Sequence, residues 1–245
     1  VIYESTAILT YLAAKYDATD QYIFIWRAKA LETEAFMSET KRILYSFPLS
    51  GHSHRAELAL SLLGLDFENR VTDLPAGEHK ADWFLKLNPE GKVPVLVDGD
   101  DVIYESTAIL TYLAAKYDAD NKWIPASAYG QSLVQRYFAQ ASGPLAAGPA
   151  RARLIQVFGA KFDEEETVIN AHAYLEGLEA QLEGRDFLLG QEVTFADVAL
   201  YSYVARAPEG FVSLEPYPHI RGWLARIEAL EGFVDIPHTE VSAAA

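Results

Sequence analysis

Apolar and polar positions follow two different rhythms along this chain. Arg42 to Phe47 (RILYSF) has the length and composition of a strand. After a loop at Pro48-Leu49-Ser50-Gly51-His52, Ser53 to Leu63 carries Leu58, Ala59, Leu62 and Leu63 at helical spacing, with Gly64 placed to stop it. Phe67 to Val71 reads as a second strand. Pro75-Ala76-Gly77 makes a loop, and a short helix over about 81–87 ends at Asn88-Pro89. Val93-Pro94-Val95-Leu96-Val97, the turn Asp98-Gly99-Asp100-Asp101 and Val102-Ile103-Tyr104 then spell a hairpin. Behind it Ile109, Tyr112, Leu113 and Tyr117 repeat at helical spacing, with Ser106 placed to cap their helix. The order β-α-β-α-β-β-α predicts a four-stranded α/β sheet, with the first two helical segments available as right-handed crossovers between parallel strands.

Strand signals cease after Asp118. Residues 120–127 read as a linker, and helices are expected over about 128–147, 163–182, 194–206 and 217–230. Thr194-Phe195-Ala196-Asp197 has the form of a capping box. The acidic run 163–166 suits the positive end of a helix and needs no further role. Phe158, Phe162, Tyr174, Phe187, Phe195, Tyr201, Trp223 and Phe233 are expected to build a second core.

One feature is not periodic at all. Residues 1–18 (VIYESTAILTYLAAKYDA) are identical to residues 102–119. A structural repeat drifts in sequence and recurs more than twice; this one does neither. The chain's single methionine, Met37, opens a stretch that reads like a natural start. The expectation is therefore an idle duplicated or mis-joined segment at 1–36, followed by a sheet-bearing domain at 37–119 and a helical domain at 128–245.

Composition narrows the chemistry. A net charge of −15 disfavours nucleic acid as a partner, because phosphate binding needs clustered Lys and Arg. No apolar run approaches the roughly 20 residues of a membrane span, and no basic-then-apolar leader pattern is present, so a cytoplasmic setting is expected. With no cysteine in the chain, thiol chemistry must use a thiol that the substrate brings. His52 and His54 form no recognisable ligand set with nearby acids, so no metal is expected.

The stretch 92–116 carries the candidate site. Proline cannot donate to a sheet ladder, so Pro94 belongs at a strand's start or on an edge, leaving the Val93 main chain free to pair with something extended. Glu105, Ser106 and a helix N-terminus stand beside that edge. A carboxylate suits an ammonium; a hydroxyl and a helix N-terminus suit a carboxylate. Together they describe a clamp for a small zwitterionic peptide.

Four motifs, SGHSHRAELALSLLGL, NPEGKVPVL, YESTAIL and TFADVAL, resemble the glutathione transferase family in order and spacing, and the similarity covers essentially all of residues 37–241. The resemblance is to bacterial members with a serine-type, theta- or zeta-like loop. It implies a thioredoxin-like α/β domain followed by an all-α domain, a homodimer, and glutathione as co-substrate for conjugation to a small electrophile in detoxification. By the same resemblance Val93-Pro94 is the cis-proline motif that pairs with the cysteinyl part of glutathione. Glu105 and Ser106 hold the γ-glutamyl ammonium and carboxylate, and Lys92 and His79 fall near the glycyl carboxylate. Ser50 matches the thiol-activating position. Ser53 competes with it, or simply caps the first helix, and His52 is a third possibility. The electrophile side is expected from the loop near Leu49 and the first helix of the second domain.

Rival readings stay within reach of the same residues. Serine-type relatives also reduce peroxides or disulfides, or isomerise substrates, with glutathione. The rival of another functional class is a non-catalytic member that binds glutathione or apolar ligands, or serves as an interaction module.

Overall fold

A computed structural model describes residues 42–241, so the reading of the duplicated segment at 1–36 lies outside the described residues. Four short strands form one sheet: β1 (Arg42–Ser46), β2 (Glu68–Val71), β3 (Val95–Asp98) and β4 (Asp101–Tyr104), in the order β2-β1-β3-β4. β1 and β2 run parallel, joined through helix α1 (Gly51–Leu62). β3 is antiparallel to both β1 and β4. This corrects one expectation: only the first helical segment links parallel strands. The second crossover, through a 3₁₀ turn (Glu78–Lys80) and α2 (Asp82–Leu87), delivers β3 in the opposite direction. Strand order, which decides this, leaves no trace in local periodicity.

Helix α3 (Ser106–Tyr117) follows β4 directly, and α1 packs against it. Leu44, Leu96, Leu58, Leu60, Ile109 and Leu113 are fully buried between sheet and helices. Truncating any of them to alanine costs about 2–5 kcal/mol. Asp98, in the hairpin turn, is buried and accepts hydrogen bonds from the Tyr112 and Tyr117 hydroxyls while Lys116 sits 3.0 Å away. The turn that looked like simple punctuation therefore ties the hairpin to α3.

Helices α4 (Ala128–Ser142), α5 (Arg151–Phe158), α6 (Glu164–Leu182), α7 (Phe195–Ala205) and α8 (Pro218–Glu228) make up the rest. Helix α5 was not foreseen; a single π turn at Ala146–Ala150, with Pro149 inside it, separates it from the end of α4. The capping box at Thr194 forms as expected, and the acidic run stands at the head of α6, where Asp163 serves as the N-cap. Helix α7 is buried on all sides, and packs against α1 as well as α4. Phe195, Tyr201 and Trp223 lie in the core, but Phe158 and Phe162 are 45% and 44% exposed. Their inclusion in a second core is corrected: they stand at the surface, Phe158 as the last residue of α5 and Phe162 just after it, where an aromatic can serve contact rather than packing. No described helix is long and apolar enough to cross a membrane.

Candidate functional site

The turn from β1 into α1 sets the first wall. Ser50 caps α1: its Oγ accepts a hydrogen bond from the Ser53 amide at 3.2 Å. The proposal that Ser53 is the cap is thereby corrected. Ser53 is buried within the first turn, and its Oγ accepts from the Phe47 amide at 3.1 Å. The half-buried Ser50 uses a lone pair for the cap and keeps its own hydroxyl hydrogen free to donate.

Beneath the loop lies Tyr203 of α7. Its ring packs so closely on Gly51 that a Cβ there would stand 2.8 Å from Cζ. Burial raises the Tyr203 phenol pKa, against the opposing pull of Arg55, Arg153 and the amides of His52 and Gly51. Arg153 of α5 donates from Nη1 to the Leu49 carbonyl at 2.6 Å, while its Nε pairs with buried Glu209, also at 2.6 Å. The loop that carries Ser50 is thus fixed from below by residues far along the chain. Leu49 itself is half-buried in that loop, and the ring of Phe47, two residues earlier, has its centroid 6.4 Å from that of Phe158.

The second wall is the start of β3 and the end of β4. The Val93-Pro94 peptide is cis. Val95, the first residue of β3, pairs with Tyr45 and Tyr104, so Val93 stands just before the ladder begins. Glu105 follows Tyr104 at the same end and has φ 69° and ψ 117°, an unfavourable backbone for a residue with a Cβ. Glu105, not Ser106, occupies the cap position of α3; Ser106 is the first helical residue. The unusual φ at residue 105 makes the turn, which brings Ser106 one position deeper than its sequence suggested. Glu105 remains exposed and Ser106 is buried.

Ser106 meets α1 there. Arg55 Nη1 donates to Ser106 Oγ at 2.8 Å and lies 3.1 Å from His52 Nδ1, and His52 Nδ1 is 3.3 Å from the same oxygen. Burial, with Arg55 and Lys92 nearby, lowers the His52 pKa from 6.5 to about 3, so the ring is neutral at physiological pH. Of the residues singled out from sequence, Ser106 and His52 come together directly, and Ser50 lies at the head of the same helix. Lys92 is exposed and pairs with Glu90 at 2.7 Å. His79 reaches this side through its main chain: at Gly91, with φ +60°, an added Cβ would lie 2.8 Å from the His79 carbonyl. Among the described residues, no group of three or more acidic or histidine side chains is placed to hold a metal ion.

Arg55, Tyr203, Arg153 and Glu209 were missed. Arg55 could have been found, because it falls in the i, i+3, i+4, i+7 register with Leu58, Ala59 and Leu62. An arginine on the buried stripe of a helix is the signal. The others come from the second half of the chain and have no local mark.

Comparison with known proteins places the chain in a family. The family model "Glutathione S-transferase, N-terminal domain" matches residues 44–121, and "Glutathione S-transferase, C-terminal domain" matches 135–231. Human glutathione S-transferase theta-2B is 34% identical over 178 residues, covering 69% of this chain and 73% of that protein. A glutathione S-transferase structure from Pseudomonas fluorescens superposes with a TM-score of 0.75 at 29% identity, covering 80% of this chain and 98% of the other. A glutathione transferase homologue from Drosophila mojavensis, solved with bound glutathione, gives a TM-score of 0.70 at 30% identity over 78% of this chain and 88% of that one.

Proposed function

Because this chain belongs to the glutathione S-transferase family and is a glutathione-conjugating enzyme, we propose that it is a serine-type member in which Ser50 activates the thiol. Glutathione lies along the open end of β3. The Val93 main chain pairs with its cysteinyl part, Glu105 receives the γ-glutamyl ammonium, and Ser106 with the N-terminus of α3 receives the adjacent carboxylate. Lys92 and His79 face the glycyl end. The observation that carries the reading is the Ser50 cap, which leaves a hydroxyl hydrogen unclaimed at the positive end of α1.

Physics sets what that hydrogen must do. A free thiol has a pKa of about 8.5, so little is ionised at neutral pH. A hydrogen bond to a charged group contributes about 1.5–3 kcal/mol, and a helix N-terminus adds to it. A thiol pKa lowered by about two units needs roughly 2.7 kcal/mol, which these two effects supply. The thiolate then attacks a small electrophile lying against Leu49 and the aromatic pair Phe47 and Phe158, forming a sulfur–carbon bond as the carbon–halogen bond of an aryl halide breaks and halide leaves to solvent. The functional unit is residues 37–245, with the linker at 120–127. The homodimer, the role in detoxification and the cytoplasmic setting belong to the same proposal and rest on the family resemblance.

The test is the ionisation of the bound thiol, followed by thiolate absorbance, together with turnover of an aryl halide. Ser50→Ala should raise the thiol pKa by one to two units and lower kcat/KM by about 10- to 100-fold. Ser50→Thr should restore much of both. Ser53→Ala should lower the melting temperature but leave the thiol pKa in place. A bound thiol that titrates identically in wild type and Ser50→Ala would sink the assignment.

A further inference from the structure

Arg55 is 0% exposed, and its only hydrogen-bonded partners among the described residues are Ser106 and His52. Its Nε and Nη2 are buried without a partner. Packing does not account for such a residue, because a buried charge whose hydrogen-bonded partners are neutral, with the Glu105 carboxylate acting on it only through space, is costly, and an apolar side chain of similar volume fills the space more cheaply. The two groups it does touch belong to the candidate glutathione pocket.

The chemistry of those contacts is restrictive. A guanidinium has donors only. The 3.1 Å approach of Nη1 to His52 Nδ1 therefore requires a bare Nδ1, and in a neutral ring that puts the hydrogen on Nε2. The second hydrogen of Nη1 goes to Ser106 Oγ at 2.8 Å. The single lone pair of Nδ1 is then already taken, so the Ser106 hydroxyl, 3.3 Å away, has no other side-chain acceptor among the described residues. Its hydrogen is left for an incoming anion.

We propose that Arg55 is a positioning residue: by donating to Ser106 Oγ and His52 Nδ1 together, it turns the serine hydroxyl and the imidazole Nε2–H into ready donors for an anionic ligand group. This rests on the reading that Ser106 receives the γ-glutamyl carboxylate. Arg55 acts through its neighbours, and its positive charge lies directly behind them. The Tyr174 hydroxyl, within the electrostatic influence of Arg55 and also buried without a hydrogen bond, belongs to the same polar interior.

Calorimetry on the full chain tests this with two ligands: glutathione, and an analogue lacking only the γ-glutamyl α-carboxylate. Arg55→Met should raise the Kd for glutathione at least tenfold and change that for the analogue less than twofold. In steady state KM for glutathione should rise while kcat stays within about threefold. Equal losses for both ligands would mean a merely structural role and overturn the proposal, as would unchanged glutathione binding. Ser106→Ala separates the two levels. If it leaves glutathione affinity unchanged, the γ-glutamyl reading fails and this proposal with it; if it weakens binding while Arg55→Met does not, the Arg55 role alone is wrong. Nitrogen-15 spectra of the wild-type histidines decide the matter even should Arg55→Met not fold. His52 should carry its hydrogen on Nε2, and a hydrogen on Nδ1 would overturn the proposal.

Discussion

Glu105 shows how much one residue can do against its own backbone preference. Its φ of 69° with ψ 117° costs about 1–3 kcal/mol for a side chain with a Cβ, yet it sets the turn that buries Ser106 and leaves the Glu105 carboxylate exposed at the site. Glycine takes this conformation freely, at an entropic cost of about 0.5–1 kcal/mol elsewhere. Glu105→Gly should therefore keep or raise the melting temperature while raising KM for glutathione by about 10- to 100-fold, the worth of a hydrogen bond to a charged group. A fall in stability of several degrees would show that the strain is not there. Glu105 and Ser106 were legible as a pair because their chemistry needs no context. The strained turn was not, since nothing in the letters E-S announces a positive φ.

At the scale of elements, the contact between α1 and α7 decides where the Ser50 hydroxyl stands. Gly51 is required there because the Tyr203 ring occupies the space of a side chain, with Cζ, Cε1 and Cε2 at 2.8–3.0 Å from the position of a Cβ. Both partners are buried, so the ring has no easy retreat. Gly51→Ala should destabilise by about 1–3 kcal/mol, the usual cost of overpacking, and should lower activity by shifting the α1 N-terminus. Gly177→Ala, in exposed α6 with nothing within 4 Å of the new Cβ, should instead stabilise by up to about 1 kcal/mol. Paired unfolding curves check both signs. The elements themselves were largely readable: α1, the hairpin and α3 follow from periodicity and turn chemistry. Helix α5 escaped because Gly148-Pro149 masks its start, although the π turn carries the chain straight through.

Across the whole molecule, the chain's last stretch ties α1 to the helical half. His54 of α1 bonds Ser202 of α7 and the Val234 carbonyl, both at 2.8 Å, and Ser61 Oγ donates to the Gly232 carbonyl. Burial, its largest cause, lowers the His54 pKa from 6.5 to about 4. The unfolded state thus binds the proton more readily between these values. The stability that neutral His54 contributes is fully present above about pH 6.5, and is lost as pH falls toward 4. By pH 5 the loss is on the order of 2 kcal/mol, and His52 acts in the same direction. His54→Gln should be less stable at pH 7 yet lose less on going to pH 5, as denaturant unfolding at the two pH values will show; parallel losses would refute the assignment. What the sequence determined by itself is what local physics encodes: the strands and most helices, the Val93-Pro94 edge, the Glu105-Ser106 pair, and the need for a substrate thiol in a chain without cysteine. Tertiary structure alone decided the rest. It set the direction of β3, gave the α1 cap to Ser50, exposed Phe158 and Phe162, and buried Arg55, Arg153 and Tyr203 around the site. Each of these depends on which distant element fills the neighbouring space, and side-chain periodicity reports only that a face is covered, never by what.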